Sequence, residues 1–331
     1  MTDGLAAGPL FGLPLADLWF ALTFLILGAF LLLDGFDFGM GALFALREDP
    51  EEREQLLAVV GPFWDGNEVW LVVFGGVLFA VFPQVYAALF SRHYLLMFAI
   101  LAALALRGLA PELYEQRHDE RWQRWWGRSF VVGSVAAPLL LGTFVGLWLF
   151  GAASPLSARA VLVGVAVVAL TVVDGVAFAR LKVRGEFRAA LAPYGVRATV
   201  AYLALAVAVL ATVYLTAPVL RGRLLSPPGL ALVALTVLLG VGHVVATRRD
   251  RYYAAFGAVA GLVFGLVALV GWLMYPSVDP AAGTSLGEAI VGTLPLNLVT
   301  IGAALLLPLV CLYFAVLYSA FGGAIEAGEG Y

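Results

Sequence analysis

The chain has 331 residues, 63% of them hydrophobic and 12% charged, with a net charge of −3 and a mean hydropathy of +0.97. That balance excludes a water-soluble globular domain and a basic nucleic-acid-binding surface, and leaves a polytopic membrane protein. Cys311 is the single cysteine, so no internal disulfide can form.

A hydrocarbon core of about 30 Å needs roughly 20 predominantly apolar residues per crossing helix. Nine stretches meet that need, at about 17–46, 57–90, 93–110, 129–151, 158–181, 198–220, 228–247, 253–275 and 292–321. None has the period-two alternation of a barrel strand, so the expected fold is an all-α integral membrane protein, with 1–331 a single membrane domain. The segment before the first span lacks a basic n-region and a small-residue cleavage site, so that span is expected to be retained.

The first span ends in Leu33-Asp34-Gly35-Phe36-Asp37-Phe38-Gly39-Met40-Gly41, and the second opens on Gly61-Pro62-Phe63-Trp64-Asp65-Gly66-Asn67-Glu68-Val69-Trp70. At 1.5 Å per residue, Asp37 and Asp34 lie about 14 to 18 Å from the shared loop side, and Asp65 and Glu68 about 12 to 17 Å. The short connection makes the two spans antiparallel neighbours, and the i, i+3 spacing is expected to put each pair of acids on one face. An Asp at the centre of a membrane helix costs about 2.5 to 3.5 kcal/mol on insertion scales, so four carboxyl groups in one layer point to function. Groups so placed can hold and pass a proton, here along a route from the cytoplasm. The structural alternative is a polar network in which Asn67 and the acids tie helices together. Pro62 and Pro83 are expected to bend the second span, and the glycines around the acids to let helices approach closely.

Further along, Glu115 to Arg128 sets Trp122, Trp125 and Trp126 among arginines, the pattern of an amphipathic segment anchored in the headgroup layer; Arg180 to Arg197 is expected to do the same. Val173-Asp174-Gly175 echoes Leu33-Asp34-Gly35 at an offset that hints at two parallel repeats, of which only the first is expected to carry protons. Of the 19 basic residues, only Arg92, Arg159, Arg221 and Arg223 fall on the N-terminal side of the spans. Positive connections stay inside, so the N-terminus is expected outside and the C-terminus cytoplasmic. His93, His118 and His243 read as interfacial or packing residues and Met40, Met97 and Met274 as gap-fillers, so no haem ligand is expected in this chain, and no metal site.

The two acidic motifs, with Phe79 to Pro83 and Tyr86-Ala87 after them, closely resemble subunit II of the cytochrome bd-type quinol oxidases, including the cyanide-insensitive branch; the match is dense over residues 30 to 130. The resemblance implies two four-helix bundles (about 17–151 and 158–275) plus one peripheral helix at about 292–321. It implies a subunit of a quinol:oxygen oxidoreductase, partnered by a larger subunit I that carries haems b and d, in the bacterial or archaeal cytoplasmic membrane, with room for small single-helix accessory subunits. It implies that Asp65 lies on a proton route to the haems of the partner, with Asp37 and Asp34 carried over from the first motif. Family members often read Arg-Gly-x-Ala-Phe-Glu-Phe-Arg at the end of the third span. Here Arg107-Gly108-Leu109-Ala110-Pro111-Glu112-Leu113-Tyr114 keeps Arg107 and Glu112, an expected ion pair, and lacks the second arginine.

On this reading the proton pathway comprises Asp65, Glu68, Asp37 and Asp34, supported by Asn67, Trp64, Arg107 and Glu112. An apolar groove can hold a structural quinone or a lipid. The competing class is a proton-coupled secondary transporter, although paired broken helices around a midplane site are not evident.

Overall fold

The computed structural model describes residues 5–324. After a 3-10 turn at Leu10–Gly12, the first span is two helices in line, α1 (Leu15–Leu33) and α2 (Gly35–Phe44), joined at Asp34. A short helix α3 (Pro50–Val60) follows. Asp49 Oδ1 accepts the Glu51 amide at 2.9 Å, Pro50 takes the first helical position and Glu51 and Glu52 fill the first turn, all features that favour a helix start.

The second span is shorter than expected. It is α4 (Trp64–Val81) alone, flanked by α3 before and α5 (Pro83–Arg92) after. Pro62 and Pro83 therefore punctuate the run instead of bending one helix. Pro83 starts α5 because its ring cannot sit inside α4, and Phe82 leaves helical geometry at φ −125° and ψ 57°.

Next come α6 (Tyr94–Glu115), α7 (Glu120–Phe150), α8 (Ala158–Lys182), α9 (Gly185–Thr216), α10 (Pro218–Leu224), α11 (Pro227–Arg248) and α12 (Tyr252–Met274). The runs expected to lie flat in the headgroup layer instead cross helix boundaries: Glu115 ends α6 and residues 120–128 open α7, while residues 180–182 end α8 and residues 185–197 open α9; α7 and α9 are 31 and 32 residues long. Residues 120–128 contain no helix breaker, and α9 continues through Pro193, so each apolar span extends outward through its charged residues. Asp119 caps α7 by accepting the Trp122 amide at 3.0 Å, and Gly151 ends it at φ 59°, a left-handed position suited to glycine. A hairpin of β1 (Ser277–Asp279) and β2 (Thr284–Ser285), a single turn α13 (Leu286–Ala289) and α14 (Thr293–Ala320) complete the chain.

Among the described residues, nine helices are long and apolar enough to cross a membrane, counting α1 with α2 as one. Helix α8 lies at the centre, against α2, α7, α9 and α12; α1 packs on α4 and α12, and α6 on α7. Helix α14 is peripheral, with 6% of its apolar window buried against 67% for α8. It is held at one end by Asn297, whose amide donates to the Leu5 and Gly8 carbonyls at 2.7 and 2.9 Å, and along its side by Trp19 Nε1 donating to Thr300 Oγ1 at 2.8 Å.

The contact that brings the acids together is between α2 and α8. A Cβ built on Gly39 would lie 2.7 Å from Gly175 Cα, and one on Gly175 2.6 Å from Gly39 Cα. Only glycine at both positions allows the backbones to touch. Gly35 lies beside Thr171 and Gly39 beside Gly175, so the two helices run parallel.

Candidate functional site

Asp34 occupies the junction of α1 and α2, and Asp37 follows one turn later; both are fully buried. Arg107 reaches them from α6, itself 1% exposed, and pairs with Asp34 Oδ1. Its guanidinium lies over the rings of Phe38, at 4.9 Å, and Trp64, at 5.9 Å. Trp64 fits because position 108 is glycine: a Cβ there would come 2.9 Å from the indole. A buried cation stacked on aromatic faces and paired with a carboxylate is a costly arrangement that holds only while each partner stays.

Asn67 of α4 joins three helices. Its Nδ2 donates to the Leu33 carbonyl at 2.7 Å and to Asp37 Oδ2 at 3.0 Å, and its Oδ1 accepts from the Tyr318 hydroxyl of α14 at 2.9 Å. The amide orientation is set by the Leu33 carbonyl, which can only accept. Asp34 Oδ2, Asp37 Oδ1 and Arg107 Nε and Nη1 have no hydrogen-bond partner among the described residues.

Glu68 is half-buried and close enough to Arg107, Asp34 and Asp65 to interact with each electrostatically. Asp65 departs from expectation. It does not share a buried face with Glu68 but is exposed, in the first turn of α4. At about 100° per residue, positions 65 and 68 differ by about 60°. That is enough to put Glu68 on the boundary and Asp65 outside it. The amides at a helix start favour a carboxylate there, so Asp65 needs no burial to explain it.

The expected ion pair between Arg107 and Glu112 does not form. Five residues on one helix are about 140° apart, so with Arg107 turned inward Glu112 is exposed. Of the tryptophans, Trp122 donates from Nε1 to the Leu113 carbonyl and lies 4.9 Å below the Arg117 guanidinium. Trp126 packs 5.7 Å from Trp122, while Trp125 is 63% exposed.

Two members of the cluster were not legible as such. Asp174 of α8 is fully buried, with no hydrogen-bond partner for either carboxyl oxygen among the described residues, and stands close to Asp37 and against Gly35. The second half of the chain therefore contributes an acid to the same cluster. The echo of Asp34-Gly35 in Asp174-Gly175 was its one signal. Tyr318 had none, since a tyrosine late in an apolar helix reads equally well as an interface residue.

The histidines lie elsewhere. His118 is exposed in the loop before α7. His243 is buried, with Nδ1 2.7 Å from Thr199 Oγ1 and Nε2 3.3 Å from Thr247 Oγ1. His93, between α5 and α6, is 3% exposed, and burial together with the Arg92 cation holds its pKa below the usual histidine value. Among the described residues no group of three or more His, Cys, Asp or Glu side chains is arranged to hold a metal ion. A cavity of about 590 Å³ lies within the apolar layer, lined by Phe30, Phe74, Phe90, Met97 and Phe144 among others.

A family profile described as cytochrome bd terminal oxidase subunit II matches residues 15–321. The chain is 28% identical to the cytochrome bd-I ubiquinol oxidase subunit 2 of Escherichia coli (strain K12), over 93% of this chain and 94% of that one. It is 30% identical to the cytochrome bd ubiquinol oxidase subunit 2 of Bacillus subtilis (strain 168), over 89% and 92%. Its fold matches a chain in the structure of bd oxidase from Geobacillus thermodenitrificans with a TM-score of 0.77 at 16% identity, covering 92% of this chain and 98% of that one. Since the profile runs from the first turn of α1 to the end of α14 and both relatives align over nearly their whole length, the chain belongs to the family of cytochrome bd terminal oxidase subunit II.

Proposed function

We propose that this chain pairs with a haem-bearing subunit I in the cytoplasmic membrane of a bacterium or archaeon, and that it gives the complex stability and a proton route. Quinol oxidation supplies electrons to haems b and d of the partner, where oxygen is reduced to water. Each electron that reaches oxygen must be matched by a proton, and this chain's part is to deliver protons. The secondary-transporter reading has no support from the family to which the chain belongs.

The observation that carries the proposal is the graded exposure of the acids. Asp65 is exposed at the start of α4, Glu68 is half-buried one turn on, and Asp34 and Asp37 are fully buried behind it with Arg107 between. A row that runs from surface to interior is what a proton relay requires, and a purely structural network has no need of its exposed end. In this reading Asp65 lies at the cytoplasmic edge of the face covered by subunit I, where it takes protons from the cytoplasm and passes them to the partner, with Glu68 and the buried acids as the row behind it. The basic residues of the connections support an external N-terminus and a cytoplasmic C-terminus. We read the helices as two bundles, α1 with α2, α4, α6 and α7, and α8, α9, α11 and α12, packed on one another through α8 against α2 and α7, with α14 outside both. Trp125 and the arginines around it fit an anchor in the headgroup layer. The 590 Å³ cavity has the size and apolar lining to hold a quinone tail or a lipid chain. Single-helix accessory subunits would find room along the exposed faces.

The test is Asp65→Asn and Glu68→Gln in the purified complex, read as quinol-dependent oxygen uptake per haem. Turnover is expected to fall at least several-fold in both with haem spectra intact. Unchanged turnover in both would remove the row from the mechanism.

A further inference from the structure

Asp174 is the one buried acid of the cluster that the proposed route does not use, and its surroundings give it a role. It shares one face of α8 with Phe178 and Lys182 at i, i+4 and i+8. Phe178 stacks on Phe36 at 3.8 Å, and Phe63 stacks on Tyr318 at 4.6 Å, so rings from α2, α8, α14 and the turn before α4 form a layer one turn beyond Asp174. Lys182 closes that layer from the far side. Its ammonium lies 5.2 Å from the Phe63 ring and 5.6 Å from the Phe178 ring and donates to the Phe321 carbonyl at the end of α14. Phe36, Phe63 and Phe178 are 0, 1 and 3% exposed. Phe36, Phe63 and Phe178 offer a proton no group to hop to, and the Tyr318 hydroxyl is engaged by Asn67 Oδ1 at 2.9 Å, so toward Lys182 Asp174 is sealed.

In the opposite direction it meets the acids. Asp37 of α2 is close enough to act on it electrostatically, and the Tyr318 phenol of α14, which donates to Asn67, lies within electrostatic reach of both. No other ionisable group that bears on Asp174 stands out among the described residues of α7, α9 or α12. Its Oδ2 lies where a side chain at position 35 would be, so the glycine keeps the carboxyl against the α1–α2 junction. Among the described residues neither of its oxygens is held by a hydrogen bond, whereas Asp37 is tied by Asn67 and Asp34 by Arg107.

We propose that Asp174 is the blind end of the proton row and stores a proton taken from Asp37. This rests on the proton route proposed above. In the step, the O–H bond of protonated Asp37 breaks and one forms on the Asp174 carboxylate, so the negative charge moves to α8 and total charge is conserved. The return transfer reloads Asp37 when the route toward Glu68 and the partner has been drained. A structural acid in the same place would stay protonated throughout and exchange nothing.

The two are separated by reduced-minus-oxidised infrared difference spectra of the intact complex. The expected result is a carbonyl-stretch signal of a protonated carboxyl group that is lost in Asp174→Asn and displaced in frequency in Asp174→Glu. Asparagine has the shape of the neutral acid. If that variant nevertheless fails to assemble, the glutamate variant alone decides by the presence or absence of the displacement. A spectrum unaltered by the substitutions overturns the inference. Glu68→Gln checks the underlying route separately. If it slows turnover while the Asp174 variants leave the spectrum unaltered, only the storage role is rejected. If both it and Asp65→Asn leave turnover normal, the route itself fails.

Discussion

Arg107 and Asp34 are 1% and 0% exposed, so removing Arg107 leaves the Asp34 carboxyl without its cation, and removing Asp34 leaves Arg107 with Asp37 and Glu68 alone, in a medium of low dielectric. The pair as a whole can be worth little, because both charges were taken out of water to form it, yet breaking it from one side typically costs about 3 to 5 kcal/mol. Arg107→Leu and Asp34→Leu should each sharply reduce the haem-bearing complex recovered from membranes, and the double variant should recover part of the loss. Haem content by difference spectroscopy measures this. A double variant no better than the worse single one would show that the two side chains are not energetically coupled. The same pair shows what the amino-acid order reveals. Asp34, Asp37, Asn67 and Arg107 stand within compact motifs, and an isolated charge in an apolar run announces itself through its cost. The partner of Arg107 was misread as Glu112 because proximity along the chain says nothing about which way a side chain turns. Asp65 and Glu68 were given a common face because a 60° offset is small on a helix, although here it crosses the line between inside and outside. Asp174 escaped because its neighbours are set by the packing of α8 on α2, over a hundred residues apart in sequence.

At the scale of elements, long apolar runs are legible as helices and their ends are not, since α7 extends through charged residues that carry no helix-breaking signal and α9 continues through Pro193. Pro83 did carry one, and it divides α4 from α5. The packing of α2 on α8 depends on atoms that are absent, the Cβ of Gly39 and of Gly175. Overpacking a close contact costs about 1 to 3 kcal/mol, and more where the obstruction is backbone, which cannot rotate aside. Gly175→Val should therefore force α2 and α8 apart, separating Asp174 from Asp37 and reducing assembly. Gly242→Ala in α11, where a new Cβ meets nothing within 4 Å, should be tolerated. Yield of the complex and its thermal midpoint in detergent compare the two. Equal behaviour would mean that the close approach of α2 and α8 is not needed.

Across the whole molecule, burial falls from the centre outward. The apolar windows of α8 and α7 are 67% and 61% buried, against 33% for α4, 22% for α11 and 17% for α9. Outer faces of this kind meet lipid or another protein, and apolar composition alone does not distinguish the two, because lipid tails are as apolar as leucine. Asp65 provides the distinction, since a carboxylate on the outer surface of α4, with Glu68 leading inward from it, suits contact with a polar partner better than with acyl chains. On that argument Val72 of α4, 73% exposed, faces subunit I, while Leu238 of α11, 69% exposed, faces lipid. An arginine at either site carries a similar membrane penalty of about 2.5 to 3.5 kcal/mol, lowered where the side chain can reach the headgroups. Only Val72→Arg should also block docking. With an affinity tag on this chain, Val72→Arg is expected to lose the haem-bearing partner and Leu238→Arg to keep it at normal ratio. The opposite pattern would move the partner to the other side of the molecule, and Asp65 would then need a different explanation.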